Sequence, residues 1–238
     1  MNRYELTVFG DDKQLAQTVA QQWLNCLDSA ERAKPFLAAL SGGRIARTFF
    51  SSVASLGKGK RALFDQVHFF WADERCVPPG DPESNYRIAQ ELMFTPLKIP
   101  ENQIHRIRGE EPPQVAAVRA EKELLGIAPR DKDGRPVLDL IFLGMGEDGH
   151  VASLFPGESP IDPQKEPVYR PVRASKPPPE RITLGYGVLS AAKEVWVLAS
   201  GSGKEDALRE SLRGNASTPL SRVLRDRGNT RILTEIQV

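Results

Sequence analysis

A single α/β domain built on an open, mostly parallel sheet with helices on both faces is the architecture predicted for this 238-residue chain. Short apolar runs alternate with amphipathic helical patterns, as expected when parallel strands are joined through helices. Four glycine-rich or charged clusters each follow directly on one of those runs, and no internal repeat or low-complexity segment divides the chain. Ligands of open parallel sheets bind at the carboxyl ends of the strands, so the four clusters are expected to meet in one cleft.

The Rossmann-like pattern is legible element by element. Tyr4 to Phe9 reads as a strand, followed by a helix over Lys13 to Leu27 that Asp11 or Asp12 can cap. Strand Phe36 to Leu40 leads through Ser41-Gly42-Gly43 into a helix over Arg44 to Leu56. Strand Val67 to Trp71 leads into the loop Ala72-Asp73-Glu74-Arg75, and Ser84 can cap a helix over Asn85 to Met93. After a helix over Gln114 to Leu125 and the breaker-rich loop Arg130 to Pro136, strand Leu138 to Leu143 runs into the loop Gly144 to His150. Two extended pieces, Val168 to Arg173 and Arg181 to Leu184, flank the second breaker-rich stretch, Lys176 to Glu180. Strand Val195 to Ala199 leads through Ser200-Gly201-Ser202-Gly203-Lys204 into a helix over Glu205 to Leu212. A helix over Pro219 to Arg225 and a strand over Thr230 to Leu233 complete the series.

Composition narrows the function. A formal charge of +1 provides no global field for nucleic acid or an anionic membrane, so any anion specificity must be local. Cys26 and Cys76 fit neither a disulfide framework nor paired metal-ligand spacing. No apolar run approaches the length of a bilayer span, and a soluble cytoplasmic protein is the default expectation.

The most informative stretch is Gly144-Met145-Gly146-Glu147-Asp148-Gly149-His150. Its glycines let the backbone turn tightly and approach a ligand, and Asp148 and His150 set a carboxylate beside a group able to titrate near neutrality. That makeup suits acid/base chemistry. The same residues match G-x-G-x-x-G, but a dinucleotide site needs a helix whose first turn holds the pyrophosphate. Glu147 and Asp148 would set negative charge against it, and Pro156, Pro160 and Pro163 interrupt any long helix, so nucleotide binding is disfavoured. His68 lies inside an apolar strand, where a core role is expected; His105 lies in an extended segment with nothing nearby to make it a site. No histidine pair has metal-ligand spacing and no G-x-S-x-G elbow occurs, so neither metal hydrolysis nor a serine nucleophile is expected.

The other clusters suit an anion. Ser41-Gly42-Gly43 opens a helix whose first N–H groups point at a ligand, the alternative being a tight turn with none. Lys204 follows a P-loop-like Gly-Ser-Gly, but Leu198 stands where a P-loop glycine would, and Glu205 replaces the magnesium-binding Ser or Thr. Lys204 therefore suits a phosphate monoester rather than a nucleotide with its metal. Arg75 is a forked cation able to grip phosphate at two points, and Asn85 can brace its loop or reach a sugar hydroxyl; the alternative for both is a surface ion-pair network.

The run Gly144 to Pro156 closely resembles the signature of 6-phosphogluconolactonases, and the resemblance continues in Ala39 to Gly43, Trp71 to Pro78, Ser84 to Tyr86 and Arg181 to Leu184. It implies hydrolysis of 6-phospho-D-glucono-1,5-lactone to 6-phosphogluconate, the second step of the pentose phosphate pathway, without metal or cofactor. The family's water-activating histidine maps onto His150, and its phosphate-binding arginine and lysine map onto Arg75 and Lys204; Asp148 is expected to orient or polarise His150, or to hold the loop. Ser41, Gly42, Gly43, Arg44 and Asn85 complete the expected substrate-binding set. The chain departs from the family pattern at Arg44 (usually Ser or Thr), Val151 (Thr), Gly185 (Thr) and Arg231 to Glu235, where a Trp-containing strand is usual. Glucosamine-6-phosphate deaminases share the fold and an Asp-Gly-His loop, but look for a Glu five residues after the histidine, where this chain has Phe155. A non-catalytic sugar-phosphate sensor is the other alternative; it needs the phosphate ligands but not His150 as a base. The expected partner is a small sugar-phosphate lactone, with no nucleic acid or membrane, on a monomer or weak homo-oligomer.

Overall fold

The computed structural model describes residues 4–31, 33–159, 161–162, 165–214 and 217–238. The chain runs β1 (Tyr4–Val8), α1 (Asp12–Ser29), β2 (Phe36–Leu40), α2 (Arg44–Gly57), β3 (Val67–Trp71), β4 (Asp73–Arg75), α3 (Asn85–Ala89), a π-helical turn Gln90–Phe94 and α4 (Thr95–Leu97). It continues through α5 (Pro113–Ile127), β5 (Leu140–Gly144), β6 (Tyr169–Arg173), β7 (Glu180–Leu184), α6 (Tyr186–Ala191), β8 (Glu194–Ala199), α7 (Glu205–Leu212), α8 (Pro219–Asp226) and β9 (Thr230–Thr234). The six expected strands form one parallel sheet in the order β1-β9-β8-β5-β2-β3. The predicted open, parallel α/β architecture is therefore the observed one.

This order sets a topological switch between β2 and β5. The chain leaves β2 for β3 on one side, and β5 for β8 and β9 on the other. Such a switch opens a crevice outside the carboxyl ends of the strands. The core beneath it is aromatic. One face of α1 buries Leu15, Ala16, Val19, Trp23, Leu24 and Leu27, at the three- and four-residue spacing of a single stripe. Trp23 is fully buried, with its ring edge-on to Phe142 at 5.0 Å and to Phe69 at 6.2 Å. Asp11, rather than Asp12, caps α1 by accepting the Gln14 N–H at 2.7 Å. No described helix is long and apolar enough to cross a membrane.

Several expectations need correction. Asp73 to Arg75 is a short strand, not a loop, and it joins a second, antiparallel sheet β4-β7-β6. Ala72 links the two sheets, donating to the Leu40 carbonyl of one and accepting from the Leu184 N–H of the other. The helix expected over Asn85 to Met93 starts where predicted, under the Ser84 cap, but widens into the π turn and runs on to Leu97. Pro96 accounts for this, because it has no N–H to return to the preceding turn and its ring crowds the carbonyl four residues back. His68 is only half-buried, and its Nδ1 lies 2.8 Å from Nε2 of His105, whose Nδ1 lies 2.6 Å from Glu123. His68 is thus satisfied as expected, but at the edge of the core rather than within it. Helix α6 was not anticipated; six residues are too few to show a helical period. Pro160 and Pro163 lie outside the described residues.

Trp23 fills the junction of α1, α2 and the sheet. Trp23→Ala is expected to cost about 3–5 kcal/mol, seen as a lower urea midpoint at unchanged slope.

Candidate active site

All the expected binding residues line one cleft at the β2/β5 switch, together with His150: Ser41 to Arg44 after β2, Arg75 and Asn85 after β3, and Lys204 after β8. Backbone proximity explains the meeting. A Cβ on Gly144 would lie 3.5 Å from the Gly42 carbonyl, so the two glycine turns touch.

The loop after β5 is a tight backbone knot. Met145 bridges Val151, the Gly146 N–H donates to the His150 carbonyl at 2.9 Å, and Gly149 takes a φ of 76° that a side chain would strain. Among the described residues no helix follows this loop before β6, as the dinucleotide alternative would have required. The His150 ring turns its Nδ1 to Asp148 Oδ1 at 2.6 Å, and the same oxygen accepts the His150 backbone N–H at 3.2 Å. Burial pushes the Asp148 carboxyl up, but the hydrogen bond and charge of His150 outweigh it and hold Asp148 below its usual value. An ionised carboxylate only accepts, so Nδ1 is the donor and Nε2 of the neutral ring keeps its lone pair for a ligand. Gly146 makes the geometry possible: a Cβ there would lie 2.0 Å from His150 Nδ1. On its other side the imidazole leans on Phe155, with ring centroids 4.9 Å apart.

Two walls of the cleft carry cations. On one, α2 begins at Gly43 with no acidic residue in its first turn, so its N-terminal dipole is left for an anion. Arg44 extends from that turn across to Gly201, where a Cβ would lie 1.8 Å from its Nη2 and where φ is 101°. Lys204 lies beside it; burial, then the charge of Arg44, lowers its pKa. Neither head group has a hydrogen bond or ion pair among the described residues. On the other wall, Arg75 Nη1 donates to the Glu83 carbonyl at 2.7 Å, with Glu83 Oε2 at 3.4 Å. Asn85 is fully buried and its Nδ2 donates to the Asp73 carbonyl at 2.9 Å, so it acts as the brace that was one of its two expected roles. It packs so closely under the glycine turn that a Cβ on Gly42 would lie 1.8 Å from its Oδ1.

Two polar cleft residues escaped the sequence reading. Asp73 is buried, and its Oδ2 accepts the Ser153 hydroxyl at 2.7 Å. Arg181 is 8% exposed and sits directly opposite Arg75 in the β4–β7 register. Burial, then the charge of Arg75, lowers its pKa. The only sequence signal for Arg181 was its place in a family motif, because its site is made by strand pairing across about a hundred residues of chain. Between them, Glu74 accepts the N–H groups of Arg75, Asn85 and Tyr86 and the Ser84 hydroxyl. Burial pushes its carboxyl up to about 7 against the pull of those backbone bonds. Among the described residues no cluster of three His, Cys, Asp or Glu side chains could hold a metal.

The cleft occurs in a recognisable family. A family model described as glucosamine-6-phosphate isomerases/6-phosphogluconolactonase matches residues 10–232. A 6-phosphogluconolactonase of Haemophilus influenzae is 37% identical over 182 residues, covering 74% of this chain and 73% of that protein. The Homo sapiens 6-phosphogluconolactonase is 37% identical over 228 residues, covering 92% and 85%. The crystal structure of 6-phosphogluconolactonase from Leishmania guyanensis superposes with a TM-score of 0.83 at 27% identity, over 97% of this chain and 95% of that one. A monomeric glucosamine-6-phosphate deaminase shares the fold alone, with a TM-score of 0.79 at 18% identity over 97% and 96%. The chain thus belongs to the glucosamine-6-phosphate isomerase/6-phosphogluconolactonase family.

Proposed function

We propose that this protein hydrolyses 6-phospho-D-glucono-1,5-lactone to 6-phosphogluconate, the second step of the pentose phosphate pathway. The observation that carries the reading is a histidine oriented by an ionised carboxylate, with its free nitrogen in a cleft whose walls are cationic. The 6-phosphate rests on the amides of Ser41, Gly42 and Gly43 at the start of α2, held by Lys204 and Arg44, with Arg75 facing it from the opposite wall. Asn85 fixes the turn beneath. A working unit of one chain as one domain suffices, since every group named comes from a single copy. A cytoplasmic sugar-phosphate enzyme without nucleic-acid or membrane partners is the matching setting.

The lactone carbonyl is already electrophilic, so positioning, water activation and charge stabilisation are what the cleft must supply. Water adds to C1 while His150 Nε2 takes its proton, and the carbonyl electron pair moves onto oxygen. Collapse re-forms C=O and breaks the bond from C1 to the ring oxygen, which takes the proton back from His150. The carboxylic acid then loses its own proton to solvent. Side chains and water carry every step. Phe155 favours this over the deaminase alternative: the position five residues after His150 holds an apolar ring that steadies the imidazole, not an acid that could assist ring opening.

A coupled assay of lactone consumption, corrected for spontaneous hydrolysis, tests the reading and separates it from a sensor. His150→Ala should lower kcat about 10²–10⁴-fold with phosphate affinity retained. Asp148 has a depressed value in the fold, so its ionised form persists down through the usual carboxylate range. A kcat/KM profile should accordingly show no loss from Asp148 until the pH falls below that range. Gly146→Ala needs no left-handed backbone, but its Cβ would lie 2.0 Å from His150 Nδ1 and 2.9 Å from Asp148 Oδ1, so it should displace the pair and reproduce most of the His150→Ala loss in kcat at little change in KM. Lys204→Met removes a charge-assisted bond of about 1.5–3 kcal/mol and should act chiefly through KM. That effect should shrink on a lactone lacking the phosphate; equal losses on both lactones would remove Lys204 from the phosphate site.

A further inference from the structure

We propose that Arg181 is a catalytic residue that holds the carbonyl oxygen of the lactone as it turns into an oxyanion, and then the carboxylate left by ring opening. The proposal rests on the lactonase reading of the cleft and assigns it the oxyanion donor.

The first observation is a like-charge pair. Arg75 and Arg181 are directly opposite on β4 and β7, a placement that destabilises a sheet unless an anion joins them. The two are not equivalent. Arg75 spends Nη1 on Glu83, whereas Arg181 is anchored only through Nε to the Pro178 carbonyl at 3.1 Å. Its two Nη groups have no protein hydrogen-bond partner among the described residues. Asp73, the neighbouring acid, has Oδ2 engaged by Ser153 and makes no ion pair with Arg181. A guanidinium on a residue only 8% exposed, with no carboxylate bound to it, is costly, and an anionic ligand would relieve that cost.

The second observation is where it sits. The Arg181 guanidinium carbon lies 5.7 Å from the centre of the Phe155 ring, the ring on which His150 leans at 4.9 Å. Base and guanidinium are thus neighbours across one aromatic plate. The charges around Arg181 are Arg75, Asp73 and Glu83; those around Lys204 are Arg44, Glu235 and Glu147. The cleft therefore has two positive poles, one of them at the start of α2 and the other beside the base.

The chemistry needs two. The substrate carries one anionic group, its phosphate, and the reaction creates a second on the carbon that His150 serves. In the addition step the electron pair leaving the C=O bond settles on an oxygen facing the Arg181 fork. After collapse and loss of the acid proton to solvent, the same fork holds the carboxylate at two points, a geometry that suits arginine better than lysine.

Arg181→Met and Arg181→Lys test this. Both should lower kcat about 10²–10³-fold at nearly unchanged KM, and by a similar factor on phosphate-free glucono-1,5-lactone, where phosphate ligands are irrelevant. Millimolar guanidinium should restore part of the Arg181→Met rate and none of the Lys204→Met rate. By calorimetry, Arg181→Met should weaken 6-phosphogluconate about tenfold or more and glucitol 6-phosphate, which lacks the carboxylate, hardly at all. Equal weakening of both ligands, or a raised KM at parental kcat, would overturn the proposal and move Arg181 to the phosphate. Should Arg181→Met unfold, the kcat and KM of Arg181→Lys decide alone. A parent protein that binds both ligands but hydrolyses no lactone would overturn the lactonase reading itself, and the proposal with it.

Discussion

Because β2 pairs with β5, through Ala38↔Leu140 and Ala39↔Ile141, the glycine turns that follow the two strands leave the sheet side by side. Everything in the cleft is placed relative to that junction. The turn after β2 aims the first amides of α2 into the crevice, and the turn after β5 delivers His150 to its floor. The neighbouring strands β3 and β8 then add Arg75 and Lys204 from either side. A close approach of two backbones tolerates no side chains, and this is why Gly42 and Gly146, each with a polar side chain in the place of its missing Cβ, cannot be replaced cheaply.

The electrostatics run against stability. Arg44, Arg75, Arg181 and Lys204 line a cleft in which Asp73 is the one acidic lining residue, and two of the cations stand face to face in a β-ladder. Such a cluster repels itself until an anion arrives. The fold sustains it by bracing the backbone instead of neutralising the charge. Glu74 ties the end of β4 to the start of α3, and Asn85 ties α3 back to β4. These bonds fix the backbone that carries the cations, and of the four only Arg75 makes an ion pair among the described residues, with Glu83, so most of the positive charge is left for an anionic ligand.

What was legible in the sequence is what has a local cause. Strands β2, β3, β5 and β8 are short apolar runs, and the clusters after them are adjacent in sequence to the strands that position them, so Ser41 to Arg44, Arg75, His150 and Lys204 could be found by reading outward from each run. The parts that escaped have distant causes. Three polar residues, Asp73 to Arg75, become a strand only because β7 arrives from a hundred residues away, and the same pairing brings Arg181 into the cleft. His68 reads as a core residue from its neighbours Val67 and Phe69, but alternation turns it to the opposite face, where His105 and Glu123 meet it.

Phe155 shows how a single position can separate two chemistries on one fold. Deaminases of this family are expected to place an acid there, within reach of the histidine, to open a sugar ring by proton transfer. A lactone needs no such help, since its ring opens as the tetrahedral adduct collapses and its leaving oxygen is served by the histidine itself. An ionised acid at this position would also set a negative charge beside the oxygen on which negative charge develops. The phenyl ring avoids that cost. It offers its face to the Arg181 guanidinium and its flank to the His150 imidazole, holding both without competing for a proton or neutralising the cation. An aromatic plate at this position thus leaves the base and the cation free for the proposed hydrolysis.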